Sequence, residues 1–162
     1  MLRVILKTLQ DINAYLRAGS LFASEWAEVP GIAAADALDA NDAVGTPFKI
    51  KVPRKGRILS AKLIDLDDDT LAFTAHVYGS EFAGAASDAA YSVNKAFGTA
   101  WATNIVFASS TDEGGFKALE ALDVNAEYYA PSGYLWVQMS TTGTPTIAAN
   151  AMPQMRLFIL PL

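Results

Sequence analysis

The sequence predicts an all-β fold, an antiparallel, jelly-roll-like β-sandwich preceded by an N-terminal helical or extended arm. Three observations carry that reading. Between Phe48 and Leu160, hydrophobic residues recur with period two in several segments, the signature of half-buried strands. Clusters of Gly, Pro and Asp separate those segments and supply turns. After the first 18 residues, little of the chain has the three- and four-residue spacing of an amphipathic helix. Many short strands divided by turns read as a sandwich or jelly roll, with a barrel as the neighbouring alternative. The expected division is an arm or linker over residues 1–44 and a sandwich domain over 45–162.

Taken in order, the N-terminal segment carries two competing patterns. Leu2, Ile5, Leu6, Leu9, Ile12 and Leu16 fall on one face of a helix that Gly19-Ser20 would stop. Arg3 to Lys7 also alternates passably as an extended arm. The alanine-rich stretch from Gly31 to Val44 has no clear period and reads as a linker or a surface-draped arm.

Phe48, Ile50 and Val52 then alternate with Lys49 and Lys51, the clearest strand in the chain. Past the Pro53 to Gly56 turn, Leu59, Ala61 and Leu63 are expected to face inward, with Ser60 and Lys62 outward. The acidic Asp67 to Thr70 turn leads to Phe73, Ala75 and Val77, and the two strands are expected to pair as a hairpin. Ser87-Asp88 fits either a short helix cap or a long loop. Ile105 and Phe107 mark a further strand, Asp112 to Gly115 a turn, and Phe116 to Asp123 reads as strand despite a competing three-residue spacing. The Ala130 to Gly133 turn precedes Leu135, Val137 and Met139, and a polar loop leads to Met155, Leu157 and Ile159 before Pro161.

At 162 residues the chain is long enough for one domain with a core of its own. A hydrophobic fraction of 52% against 18% charged residues predicts a folded chain, with some surface reserved for other subunits. The net charge of −5 opposes phosphate binding, so no nucleic-acid partner is expected. No cysteine is present, which removes disulfides and thiolate chemistry. Lys7 and Asp11 interrupt any apolar export signal, and no stretch approaches the length of a membrane span, so a soluble protein with no membrane partner is expected.

Candidate chemistry is sparse. His76, the single histidine, sits on the polar side of a strand with no serine or carboxylate at a relay-like spacing. Asp65 to Asp69 reads as a solvated turn before it reads as a calcium loop, since it lacks the glycine and closing glutamate of an EF-hand. Glu120 and Glu127 are weak material for a glycosidase dyad. Tyr134 and Trp136 share a strand face that suits either packing or a sugar platform, and Trp26 and Trp101 are candidates to anchor a loop or a partner. No cofactor, metal ligand or catalytic residue is assigned.

Several segments carry a resemblance: Asp42 to Pro47 leading into Phe48-Lys49-Ile50, the turn at Asp65 to Thr70, Ala130 to Trp136, and Gly143 to Thr146. Together they resemble small structural proteins of tailed-phage virions, above all jelly-roll head decoration or cement proteins. The resemblance implies a non-enzymatic virion protein, assembled in the host cytoplasm, that forms a homo-oligomer, a trimer by preference. The implied partners are the major capsid protein or other virion subunits, and the expected contacts are Leu2, Ile5, Leu9, Ile12, Leu16 and Trp26. The alternative is a carbohydrate- or receptor-binding module of a tail or fibre, using the Tyr134 and Trp136 face. A small jelly-roll enzyme is the third class, and a lone histidine weighs against its metal-using forms.

Overall fold

In a computed structural model, residues 20–32, 36–66, 72–93, 95–108, 110–147 and 152–162 are described. The strands are β1 (Phe22–Ala23), β2 (Ala27–Glu28), β3 (Asp36–Ala37), β4 (Ala43–Lys51), β5 (Lys55–Asp65) and β6 (Phe73–Tyr78), followed by β7 (Trp101–Phe107), β8 (Ser110–Asp112) and β9 (Lys117–Ala121). β10 (Ala126–Tyr129), β11 (Tyr134–Thr141), β12 (Thr146–Ile147) and β13 (Gln154–Pro161) complete the set. The described helical structure is a 3₁₀ segment at Lys95–Ala100, while Ser87-Asp88 lies in a turn. The helical or extended reading of the first residues, with Leu2, Ile5, Leu9, Ile12 and Leu16, lies outside the described residues.

Two antiparallel sheets make the sandwich. A seven-stranded sheet runs β1-β13-β5-β9-β8, with β2 also on β13 and β10 also on β5, and a four-stranded sheet runs β4-β11-β6-β7. Taking β1 and β2 as one strand, the principal strands pair first with last (β1/β2 with β13), second with seventh (β4 with β11), third with sixth (β5 with β9) and fourth with fifth (β6 with β7). That nesting is the jelly-roll order, a long hairpin folded over on itself.

Strand pairing corrects one sequence expectation and burial another. β5 and β6 are not a hairpin: β5 pairs β13, β9 and β10 while β6 pairs β11 and β7, so the connection crosses between sheets. A polar turn between two alternating runs looks the same whether the chain returns beside itself or changes sheet. Asp65, expected in a solvated turn, is instead the buried end of β5, opposite Lys117. The first strand lies within residues 20–44, inside the expected arm, and β4 starts at Ala43, ahead of the expected boundary. Val29, Ile32 and Leu38 from that segment belong to the same core as Leu119, Leu135 and Leu157.

The core forms where the inward faces of the sheets meet, with Phe73, Phe107, Leu135, Met139, Leu63 and Met155 fully buried. Each such side chain contributes about 1.5–3 kcal/mol. In β5 the register skips one residue, because Phe158 faces Ser60 and the next residue, Ile159, faces Ile58. The bulge puts Ile58, not Leu59, on the fully buried side.

A larger irregularity interrupts β4. Val137 pairs Phe48 and Met139 pairs Val44, so Gln138 stands opposite Gly45, Thr46 and Pro47. Gly45 has φ +62°, and a side chain there would strike the Pro30 carbonyl. The fully buried Gln138 amide fills the gap: its Nε2 donates to Ala85 O (2.7 Å) and Gly45 O (3.3 Å), and its Oε1 accepts from Ala85 N–H (3.0 Å). Gly45 N–H donates to Ser87 Oγ (3.1 Å), and Ala43 N–H to Ala89 O (2.8 Å). Residues 79–93 are thereby fastened over the outer face of the four-stranded sheet. Gly84 permits this, since any β-carbon there would overlap Gln138 Oε1.

Replacing Gln138 with Leu strands the Ala85 and Gly45 groups without partners, and is expected to cost about 2–4 kcal/mol. Urea denaturation of the variant checks it; a loss under about 0.5 kcal/mol, the usual effect of a neutral surface change, would contradict the role given to this amide.

Candidate functional site

Outward positions on β6, β7 and β11 alternate with the core positions, so His76, Asn104 and Ser140 share the outer face of the four-stranded sheet. His76 and Asn104 are direct cross-strand partners. Ser140 lies diagonal to His76, because it pairs Thr74. His76 Nδ1 is 3.0 Å from Asn104 Oδ1, and Nε2 is 2.9 Å from Ser140 Oγ. Asn104 Oδ1 also accepts from Trp101 Nε1–H at 3.1 Å. An amide oxygen can only accept, so the imidazole proton sits on Nδ1 and the Ser140 hydroxyl donates to Nε2. The polar chain therefore runs Ser140, His76, Asn104, Trp101.

Its cover comes from the fastened loop. The Tyr91 ring stacks on His76 with centroids 3.7 Å apart, and the Tyr91 and Tyr78 hydroxyls are 2.9 Å apart. Burial lowers the His76 pKa below 6.5, partly offset by the Asn104 hydrogen bond. Burial, with Tyr78 beside it, raises the Tyr91 phenol above its ordinary value. Hydroxyl, imidazole and amide stand in the order of a nucleophile relay. Ser140 is buried, however, and the imidazole face is covered, so the arrangement holds side chains in place and does not present the hydroxyl. Sequence spacing could not disclose this chain, because its members come from three strands.

The relay ends at an open cleft of about 280 Å³, lined by Gly79, Ser80, Thr99, Trp101, Glu127 and Tyr129 among others. Trp101 is 52% exposed and Tyr129 67%. Arg57 pairs with Glu127 and holds its carboxyl below the ordinary range. The sugar platform expected at Tyr134 and Trp136 is less open. Both are half-buried, and the Lys49 ammonium lies 4.9 Å from the Tyr134 ring centroid. Glu120, the other carboxylate considered for catalysis, is ion-paired with Lys62.

The outer face of the seven-stranded sheet is different in kind. Arg156 and Phe158 point outward from β13 beside Lys62 and Ser60 of β5. The Arg156 guanidinium lies over the rings of Trp26 (5.7 Å) and Phe158 (5.6 Å), and its Nε donates to Ser24 O (2.8 Å). Trp26 flanks two shallow clefts, one of about 310 Å³ with Lys49, Lys51 and Tyr134, the other of about 230 Å³ with Lys62, Ile64, Phe116 and Glu120. Ile64, Phe116, Phe158 and Leu160 are half-buried, and Trp26 is 38% exposed. In a sandwich whose outer faces meet water these positions are ordinarily polar.

Among the described residues, no group of three His, Cys, Asp or Glu is placed to hold a metal, and no helix is long and apolar enough to cross a membrane. No protein-family model matches the chain, and no curated protein matches it significantly.

The depressed His76 pKa has a definite linkage sign. Below pH 6.5 the unfolded chain takes up a proton that the folded chain resists, so stability is full above 6.5 and falls as the pH drops toward the folded pKa. Asp112, held low by the Gly114 N–H and by Lys117, and Glu127, held low by Arg57, lose their contributions only in more acid solution. Urea midpoints at about pH 7.5 and about pH 5 are expected to fall more for the wild type than for His76→Gln. Equal losses would contradict the assignment.

Proposed function

We propose that this chain is a non-enzymatic structural protein of a phage virion. It decorates or cements the head as a homo-oligomer, a trimer by preference, with the major capsid protein or other virion subunits as partners. The observation that carries the reading is the outer face of the seven-stranded sheet, where the apolar side chains of Trp26, Phe158, Ile64 and Phe116 stand at the surface among Arg156, Lys62 and Glu120. Large apolar patches mark interaction sites, because exposing them to water is unfavourable by about 25 cal/mol per Å². Jelly rolls recur in viral capsid domains, which supports the reading as fold-level analogy.

The physics fits a joining role. Aromatic rings and arginine are enriched at interfaces, and the Trp26, Arg156 and Phe158 group is of that kind. A stable interface buries about 1,200–2,000 Å² in total, more than one small cluster supplies, and β1, the first described strand, belongs to this same sheet. Leu2, Ile5, Leu9, Ile12 and Leu16 would extend the contact area there.

Light scattering of the purified chain is expected to give a discrete oligomer, and the chain is expected to cosediment with phage particles. Phe158→Lys, with its melting temperature retained, is expected to weaken both by at least about tenfold. A wild-type monomer that stays in the supernatant, or a variant that assembles and attaches normally, would overturn the proposal.

A further inference from the structure

The cleft at the end of the relay has a composition that the joining role does not call for. Two aromatic side chains, Trp101 and Tyr129, line it while remaining more than half exposed, although burying such rings is favourable to a fold. Hydrogen bonds hold the Trp101 side of the cleft. Asn104 fixes the Trp101 indole edge through Nε1–H, and His76 and Ser140 fix Asn104 in turn. Gly79 N–H donates to Ala100 O at 2.7 Å and locks the strand that precedes the cleft to the residue before Trp101. Polar groups stand beside the rings: Ser80, Thr99 and a Glu127 carboxylate held through Oε1 by Arg57.

We propose that this cleft binds a neutral pyranose, as a residue of a glycan. A sugar ring has an apolar C–H face that packs on an aromatic ring and a rim of hydroxyls that pair with hydroxyl and carboxylate acceptors; the lining of this cleft offers both. A volume of about 280 Å³ falls just under the roughly 300–1,000 Å³ of pockets that enclose drug-sized ligands, in keeping with a small saccharide unit. The charge pattern selects a neutral ligand. Glu127, the charged residue of the lining, is already paired with Arg57, and the lining holds no lysine or arginine to bind a phosphorylated or carboxylated ligand. Trp101 and Tyr129 contact the sugar, whereas Asn104 acts through Trp101 as a positioning residue.

The inference does not rest on the virion reading, and its residues are distinct from the Trp26 and Phe158 face. A glycan array carrying neutral hexose, phosphorylated and sialylated oligosaccharides, probed with the full chain, is expected to show binding to neutral members only. The strongest binder, titrated by calorimetry, is expected to lose at least about tenfold in affinity with Trp101→Ala and with Tyr129→Ala. Asn104→Ala is expected to weaken binding less and to shift the tryptophan fluorescence of the free protein, and Phe158→Lys is expected to bind normally. No binding to any neutral glycan, preference for the anionic members, or full affinity in both Trp101→Ala and Tyr129→Ala would each overturn the proposal.

Discussion

The Gln138 side chain is the interaction on which the arrangement of this molecule depends. The ladder between the edge strand β4 and β11 is broken opposite it, and the break leaves the buried Gly45 carbonyl in need of a partner. One buried amide meets that need on two sides, toward Gly45 in the broken strand and toward Ala85 in the loop. Because the same group serves both, the bulge and the loop cover are a single feature. Tyr91 is carried onto His76 as part of it, and the imidazole, held between ring, hydroxyl and amide, orients Asn104 and Trp101.

This cover divides the labour between the two sheets. The four-stranded sheet is largely closed by its own chain, with Gln138, Ser140 and Tyr78 buried on what would otherwise be a solvent face. The seven-stranded sheet has no comparable cover among the described residues, and its outward apolar side chains stand beside Arg156, which lies over the Trp26 and Phe158 rings, and beside the Lys62–Glu120 pair. Surface ion pairs contribute little to stability, so Lys62–Glu120 and Arg57–Glu127 are better understood as keeping that sheet's charges neutralised beside apolar side chains. In the proposed role, this face is the surface that meets other subunits.

The fold was largely legible in the sequence because inward faces impose period two. Phe48 and Ile50, then Phe73, Ala75 and Val77, then Leu135, Val137 and Met139, and last Met155, Leu157 and Ile159 are buried as alternation requires. What alternation does not encode is which strands pair. It therefore misassigned β5 and β6 to a hairpin, and it chose Leu59 over Ile58 where a bulge changes the phase. The first strand escaped notice because β1 and β2 hold two residues each, too few for any period to register. Of the site residues, Trp26 and Trp101 were visible as large side chains in irregular segments, and the structure places them at two different surfaces. Gln138, Ser140 and Asn104 were not visible, since their roles arise from loop cover and cross-strand neighbours and not from local pattern.

Hydroxyl-radical footprinting of the dilute, dissociated chain against the assembled one distinguishes the two outer faces, since it reads side-chain exposure residue by residue. Trp26, Phe116 and Phe158 are expected to be labelled in the dissociated chain and protected on assembly, while Tyr91 is weakly labelled in both and Trp101 remains labelled. Protection centred on residues 79–93, with Trp26 and Phe158 labelled equally in the two states, would contradict the proposed interface.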